Sequence, residues 1–157
     1  MGIETVTVMF TDLVDSTALS SRLGEERGDE VRREHFGLLR GVVERSGGRE
    51  VKNLGDGLMV AFSSAADAMS AAVGMQRAFA RRNRRVDGDA LLVRIGISCG
   101  DADVEDGDYF GVPVVEAARL CGAAEGGEVL VTELLRLLAG SRGGHTFSAM
   151  GEFDLKG

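Results

Sequence analysis

Cysteine and proline are scarce in this chain, and cations are outnumbered by acids. The two cysteines, Cys99 and Cys121, sit in or beside apolar segments with no ligand-like spacing. This excludes a disulfide framework and a cysteine-based metal site, and leaves two reduced thiols expected in the core of a cytoplasmic protein. The single proline, Pro113, stands where a helix would begin. No Pro/Ser-rich linker and no internal repeat divides the chain, so residues 1–157 read as one domain with one core. The 18 Lys+Arg against 25 Asp+Glu give a formal net charge of -7, which excludes a general nucleic-acid binder. The one basic cluster, "RRNRR" at Arg81 to Arg85, reads as the solvated C-terminal end of a helix. No apolar run is long enough to span a membrane, and Met1 leads into a strand pattern instead of a signal peptide. The expected location is cytoplasmic with no direct membrane contact from this segment, and a tether in some further domain is left open.

What is present is patterned for a soluble fold, with 44% hydrophobic and 27% charged residues. Val6, Val8 and Phe10 alternate with Thr5, Thr7, Met9 and Thr11, as in a strand. Ala18 to Leu23 reads as a short helix. Val31, His35, Leu38, Leu39, Val42 and Val43 then recur at helical spacing up to Gly47-Gly48. His35 lies on that apolar stripe with no ligand set beside it, so a packed core histidine is expected. "REVKNLGDGLMVAF" reads as two strands around a Gly55-Asp56-Gly57 hairpin. A second long helix carries Ala65, Met69, Ala72, Val73, Gln76 and Phe79, and "LLVRIGISCG" is a further strand. "VEDGDYFG" is a turn or hairpin tip, Pro113 opens a helix through Leu120, "EVLVT" is a strand and "ELLRLLAG" a helix. "HTFSAMGEFDLKG" is expected to close the chain as a strand or strand pair. The fold class is α+β. Its βαββαβ core is the ferredoxin-like split motif, an antiparallel sheet expected to carry its helices on one face.

Asp12 poses the functional question, because it arrives where an apolar strand runs out. A carboxylate at a strand end is held in a fixed direction, which suits a metal ligand or a general base. Asp15, Ser16 and Thr17 read more simply as caps of the following helix. In the split motif the first strand neighbours the central hairpin, so Asp12 and Asp56 would sit side by side. Two adjacent carboxylates repel unless a cation lies between them. An all-oxygen pair suits Mg²⁺ or Mn²⁺.

"FTDLVDST", "GGREVKNLGDGLMVAF", "VRIGISCGDA" and "DYFGVPVVEAARL", in that order, resemble the catalytic domain of the class III nucleotide cyclases, particularly compact actinobacterial ones. The resemblance covers nearly the whole chain. It implies a palm-like enzyme that cyclises a nucleoside triphosphate to the 3′,5′-cyclic monophosphate and pyrophosphate. It further implies two divalent ions per site, held by Asp12, Asp56 and the carbonyl of Leu13. The amides after Asp12, in the stretch Leu13, Val14, Ser16 and Thr17, would cradle the β- and γ-phosphates where a loop enters a helix. The family usually has glycine where this chain has Asp15, and Asp15 is expected to cap the helix.

Base choice follows from polarity. Adenine offers an acceptor at N1 and a donor at its 6-amino group, and guanine reverses both. A lysine facing the first and an aspartate facing the second therefore select ATP, since guanine leaves both mismatched. The positions that match are Lys52 and Asp108. Arg119, in "EAARL", matches the arginine that meets the phosphates in the transition state, and Lys156, in "DLKG", resembles a phosphate-contacting lysine. Four residues before Arg119 the family commonly has an asparagine that orients the ribose, where this chain has Val115. Either a neighbour such as Glu116 or a water replaces it, or the enzyme is slow. The resemblance also implies a head-to-tail homodimer with two shared sites. Two rivals stand beside an adenylate cyclase: a nucleotide-binding regulatory domain that has lost catalysis, and a cyclic-dinucleotide synthase with the same palm-like core. The second usually carries a "GG(D/E)EF" hairpin, which "LGDGLM" is not.

Overall fold

The computed structural model describes residues 2–151. Lys156 and the end of the expected closing strand lie outside these residues, and 145–151 contain no strand. The chain runs β1 (Gly2–Leu13), α1 (Ser16–Leu23), α2 (Glu25–Arg45), β2 (Arg49–Asn53), β3 (Leu58–Phe62) and α3 (Ala65–Arg85). It continues through β4 (Val93–Glu105), β5 (Asp108–Phe110), α4 (Val112–Ala123), β6 (Val129–Val131) and α5 (Glu133–Ala139). The sheet order is β2-β3-β1-β4-β5, with β6 pairing β4 in parallel. Along β2, β3, β1 and β4 each strand is antiparallel to its neighbour, in the order of the ferredoxin-like split motif. The segment read as a turn or hairpin tip is a hairpin, with β5 folded back on the end of β4.

Both faces of the sheet are covered, which corrects the one-face expectation. On one face Met9 and Leu13 of β1 and Leu58, Val60 and Phe62 of β3 meet Leu19, Leu39, Met75, Phe79 and Leu135 from the helices. On the other, Val6, Val8, Met59, Ala61 and Tyr109 meet Ala117 of α4. All five residues of β3 are buried, and a strand apolar on both sides needs cover on both sides. The approach of α4 to β4 is backbone to backbone at Gly96. A Cβ there would lie 2.3 Å from the Cys121 nitrogen and 2.4 Å from the Ala117 carbonyl oxygen.

His35 is fully buried among the helices, its ring 4.7 Å from that of Phe36 and 5.8 Å from that of Phe79. Burial lowers its pKa to about 4. The basic end of α3 is not simply solvated. Arg82 is buried, and its guanidinium donates to Glu34 Oε1 at 3.0 Å and to the Asp89 carbonyl at 2.7 Å. One cation of the cluster thus pins the loop before β4 to α2, a role that composition alone does not reveal. Cys99 and Cys121 are buried and free, as expected.

Candidate active site

The hairpin between β2 and β3 is pressed against the end of β1. The Leu13 amide donates to the Asp56 carbonyl at 2.8 Å, and the Leu58 amide donates to Thr11 Oγ1 at 2.9 Å. Only glycine fits at position 57, where a Cβ would stand 1.7 Å from the Thr11 carbonyl oxygen. These contacts bring the Asp12 and Asp56 carboxyls together. Burial pushes the Asp12 carboxyl above its ordinary value, Arg94 pulls it back, and the neighbouring Asp56 pushes it up again. Ser16 Oγ donates to Asp56 Oδ2 at 3.2 Å, so Ser16 serves the acid pair and not the helix cap.

Arg94 is the residue that sequence reasoning missed. It lies directly opposite Asp12 in the β1–β4 register. Its Nε donates to Asp12 Oδ2 at 2.7 Å, with Nη2 at 2.6 Å from the same oxygen. Another of its nitrogens donates to the Gly122 carbonyl at 3.2 Å, which ties it to α4. Arg94 compensates one of two crowded carboxylates. The signal was the arginine of "VRIGIS", but its meaning depends on a strand register that only pairing reveals.

Asp15 does not cap α1 with its side chain. It adopts a left-handed backbone, φ 53°, and its carbonyl accepts from the Leu19 amide at 2.9 Å. Glycine adopts that conformation freely and aspartate tolerates it, which accounts for both residues at this position. The Leu13 amide is held by Asp56, and the Val14 amide donates to the Leu92 carbonyl at 2.8 Å. Two of the amides expected to face phosphate, Leu13 and Val14, are thus already taken, whereas those of Ser16 and Thr17 belong to the first turn of α1, which has no intrahelical acceptor for them.

Lys52 and Asp108 come together on the α4 side of the sheet, with Lys52 Nζ 2.9 Å from Asp108 Oδ2. Lys52 holds the Asp108 carboxyl below its ordinary range. A bulge in β2 makes this possible. Glu50 pairs with Val60 and Lys52 with Met59, so Val51 is an extra residue. Strict alternation would aim Glu50 and Lys52 the same way. Instead Glu50 takes Arg40 of α2 at 2.7 Å, while Lys52 turns to the other face.

The charges acting on Asp12 are Asp56 and Arg94, while those acting on Asp108 are Lys52 and Arg49. One chain thus presents two separate electrostatic groups. A cleft of about 620 Å³ is lined by Leu13, Ser16, Thr17 and Asp56, but not by Asp12, Lys52, Asp108 or Arg119. Arg119 is half-buried on α4, one turn after the exposed Val115. Glu116, the neighbour that could replace the missing asparagine, accepts at Oε1 from the buried Ser98 hydroxyl at 2.8 Å. Among the described residues no three His, Cys, Asp or Glu side chains gather as a metal cluster. The Asp12–Asp56 pair still fits a divalent ion of the magnesium kind, which takes one or two carboxylates and completes its shell with phosphate oxygens and water. No helix among these residues is long and apolar enough to cross a membrane.

The sequence and the fold have counterparts among known proteins. The chain is 39% identical over 97 residues to a putative adenylate cyclase 3 of Rhizobium meliloti, a match covering 61% of this chain and 16% of that protein. The chain therefore aligns with only a small part of that relative's length. An adenylate/guanylate cyclase/hydrolase from Silicibacter pomeroyi superposes with a TM-score of 0.82 at 29% identity, over 96% of this chain and 88% of that one. The guanylyl cyclase Cya2 superposes at 0.79 with 25% identity, over 98% and 89% of the two chains. The family model for the adenylate and guanylate cyclase catalytic domain matches residues 1–157. With its split-motif sheet, paired acids and ordered sequence motifs, the chain belongs to the adenylate and guanylate cyclase catalytic domain family.

Proposed function

We propose that the chain is an adenylate cyclase domain, converting ATP to 3′,5′-cyclic AMP and pyrophosphate in a homodimer with two shared sites. The observation that carries the choice of base is the contact between Lys52 Nζ and Asp108 Oδ2 at 2.9 Å. It sets a donor beside an acceptor, the polarity that complements N1 and the 6-amino group of adenine. Guanine in the same place would face donor with donor and acceptor with acceptor, a mismatch that discriminates by orders of magnitude in a desolvated site.

In the reaction the ribose 3′-oxygen bonds to the α-phosphorus and the bond from that phosphorus to the pyrophosphate oxygen breaks. The 3′-hydroxyl loses its proton and pyrophosphate leaves with the electron pair. Asp12, Asp56 and the Leu13 carbonyl would hold two divalent ions, Mg²⁺ or Mn²⁺. When bound, such ions acidify a coordinated hydroxyl and neutralise phosphate charge. Ser16 steadies Asp56, and the amides at Ser16 and Thr17 face the β- and γ-phosphates at the start of α1. Arg119 meets the charge that grows on the phosphates, and Lys156 adds a further phosphate contact. The separation of the acid pair from the Lys52–Asp108 pair within one chain supports a site assembled from two chains.

A second reading has its own observation. Val115 cannot orient the ribose, and Glu116 is engaged by Ser98. A slow enzyme, or a domain that binds the nucleotide without turning it over, follows from that. Incubation with ATP and Mn²⁺, with cyclic AMP and pyrophosphate measured, separates the readings. Product in stoichiometric pairs supports the cyclase, and bound but unconverted ATP supports the binding domain. Faster turnover of GTP than of ATP would overturn the choice of base.

A further inference from the structure

Arg49 does work that neither the motif match nor the acid pair accounts for. It opens β2, at one end of the sheet path, yet its contacts are on β5 and the turn before it, at the other end. Its Nη2 donates to the Gly107 carbonyl at 3.2 Å and to Tyr109 Oη at 3.2 Å. Its guanidinium carbon lies 5.5 Å from the Tyr109 ring centroid, within cation–π range. Tyr109 is anchored in the core beneath α4 with Val6, Val8 and Met59. Three contacts from one side chain therefore tie the tip of the β4–β5 hairpin across the sheet to β2. Asp108 lies between the two residues that Arg49 grips, and its own carboxylate also accepts from the Tyr109 amide at 2.8 Å.

We infer that Arg49 is a specificity-positioning residue. It holds the hairpin tip so that Asp108 and Lys52 stand at the spacing a purine edge requires. This rests on the adenine-reading role proposed for that pair. Without Arg49, the buried Tyr109 ring and the three-residue strand β5 still seat the hairpin, but the Gly107–Asp108 turn is tied to β2 by the exposed Lys52–Asp108 ion pair, which is too weak to fix the distance between base-reading groups. The β2 bulge is part of the same device. It leaves Arg49 and Lys52 on one face although they are three residues apart. A guanidinium suits the place because its flat face lies over the Tyr109 ring while a single nitrogen, Nη2, donates to both acceptors, and a compact ammonium has no flat face to stack.

The experiment compares Arg49→Met, Arg49→Lys and Tyr109→Phe with the unmutated protein. It reads kcat and KM for ATP and for GTP, with thermal unfolding recorded for each variant. Arg49→Met should raise KM for ATP by about tenfold and narrow the ATP-over-GTP ratio by a similar factor, as expected for losing two hydrogen bonds and a stacked cation. The kcat at saturating ATP should change by less than about twofold, since no group at the phosphates is touched. Arg49→Lys should behave like Arg49→Met. Tyr109→Phe removes one acceptor only, and should shift both quantities the same way by about threefold. An unchanged ATP-over-GTP ratio in folded Arg49→Met and Tyr109→Phe would overturn the inference, as would full rescue by lysine. Lys52→Glu is the control on the underlying reading. If it leaves base preference unchanged, adenine reading by the pair fails; if it shifts preference while the Arg49 and Tyr109 variants do not, only the positioning role fails.

Discussion

Lys52 and Asp108 are 56 residues apart in sequence and lie on strands at opposite ends of the sheet path, yet their side chains meet at 2.9 Å. The contact exists because the β4–β5 hairpin reaches over the face of the sheet and a bulge in β2 turns Lys52 toward it. If the pair reads adenine, Lys52→Glu should lower kcat/KM for ATP by at least about a hundredfold, since it sets an acceptor against N1 beside a second acid. Adding Asp108→Gly should begin to admit GTP. Equal use of the two nucleotides by the unmutated protein would count against the pair as the base reader.

Asp12 and Asp56 should both be indispensable to turnover but differ in what they do to stability. Asp56→Ala removes a repulsive neighbour from Asp12, so unfolding by urea in the presence of a chelator should be unchanged or need more denaturant. Asp12→Ala strands Arg94, which is one-third exposed, and should destabilise the chain by about 1 kcal/mol. Both variants should lose stabilisation by added Mn²⁺. A variant that keeps a substantial fraction of activity would contradict the ligand assignment.

Subunit mixing tests the shared site. Asp12→Ala and Lys52→Ala should each be inactive alone. In a mixed dimer one site collects both defects and the other collects none. Random pairing makes about half the dimers mixed with one good site each, so activity should recover to roughly a quarter of the unmutated rate. No recovery in a mixture shown to exchange subunits would place both residues in the same single-chain site.

His35 should make the fold acid-sensitive. Burial holds its imidazole neutral with a pKa of about 4, against an ordinary value of 6.5. Between these values the unfolded chain takes up a proton that the folded chain refuses. The stability is therefore fully present above pH 6.5 and is lost as pH falls toward 4, by about 3 kcal/mol in all. Asp56 opposes the depression, while Arg32 and Arg40 reinforce it. Denaturant titrations of the unmutated protein and of His35→Leu across that window should differ in slope, with the variant the flatter. Parallel curves would show that the buried histidine does not govern the response.

Gly57→Ala should destabilise the protein by about 3 kcal/mol, because its Cβ meets the Thr11 backbone and not a yielding side chain. Asp56 would be carried away from Asp12 as the hairpin shifts, so Mn²⁺ affinity should fall with stability. A variant of normal stability would mean that the hairpin can move without loss.

Local chemistry sufficed for most of the elements and for the acids. Apolar alternation marks β1, the glycines around Asp56 mark the hairpin, and the spacing of Val31, Leu39 and Val43 marks α2, since each depends on neighbours a few residues away. The pairing of Asp12 with Asp56 was legible because the order of elements dictates which strands are adjacent. Other features depend on contacts between distant segments, and these only the tertiary structure decided. The register of β1 on β4 sets Arg94 against Asp12. Packing beneath α4 covers the second face of the sheet. Burial of Arg82 turns one cation of a surface-looking cluster into an internal tether. The bulge at Val51 reverses the direction that alternation would assign to Lys52. Periodicity describes a segment's own geometry, whereas register, bulges and the burial of a charge are settled by the partner the segment meets.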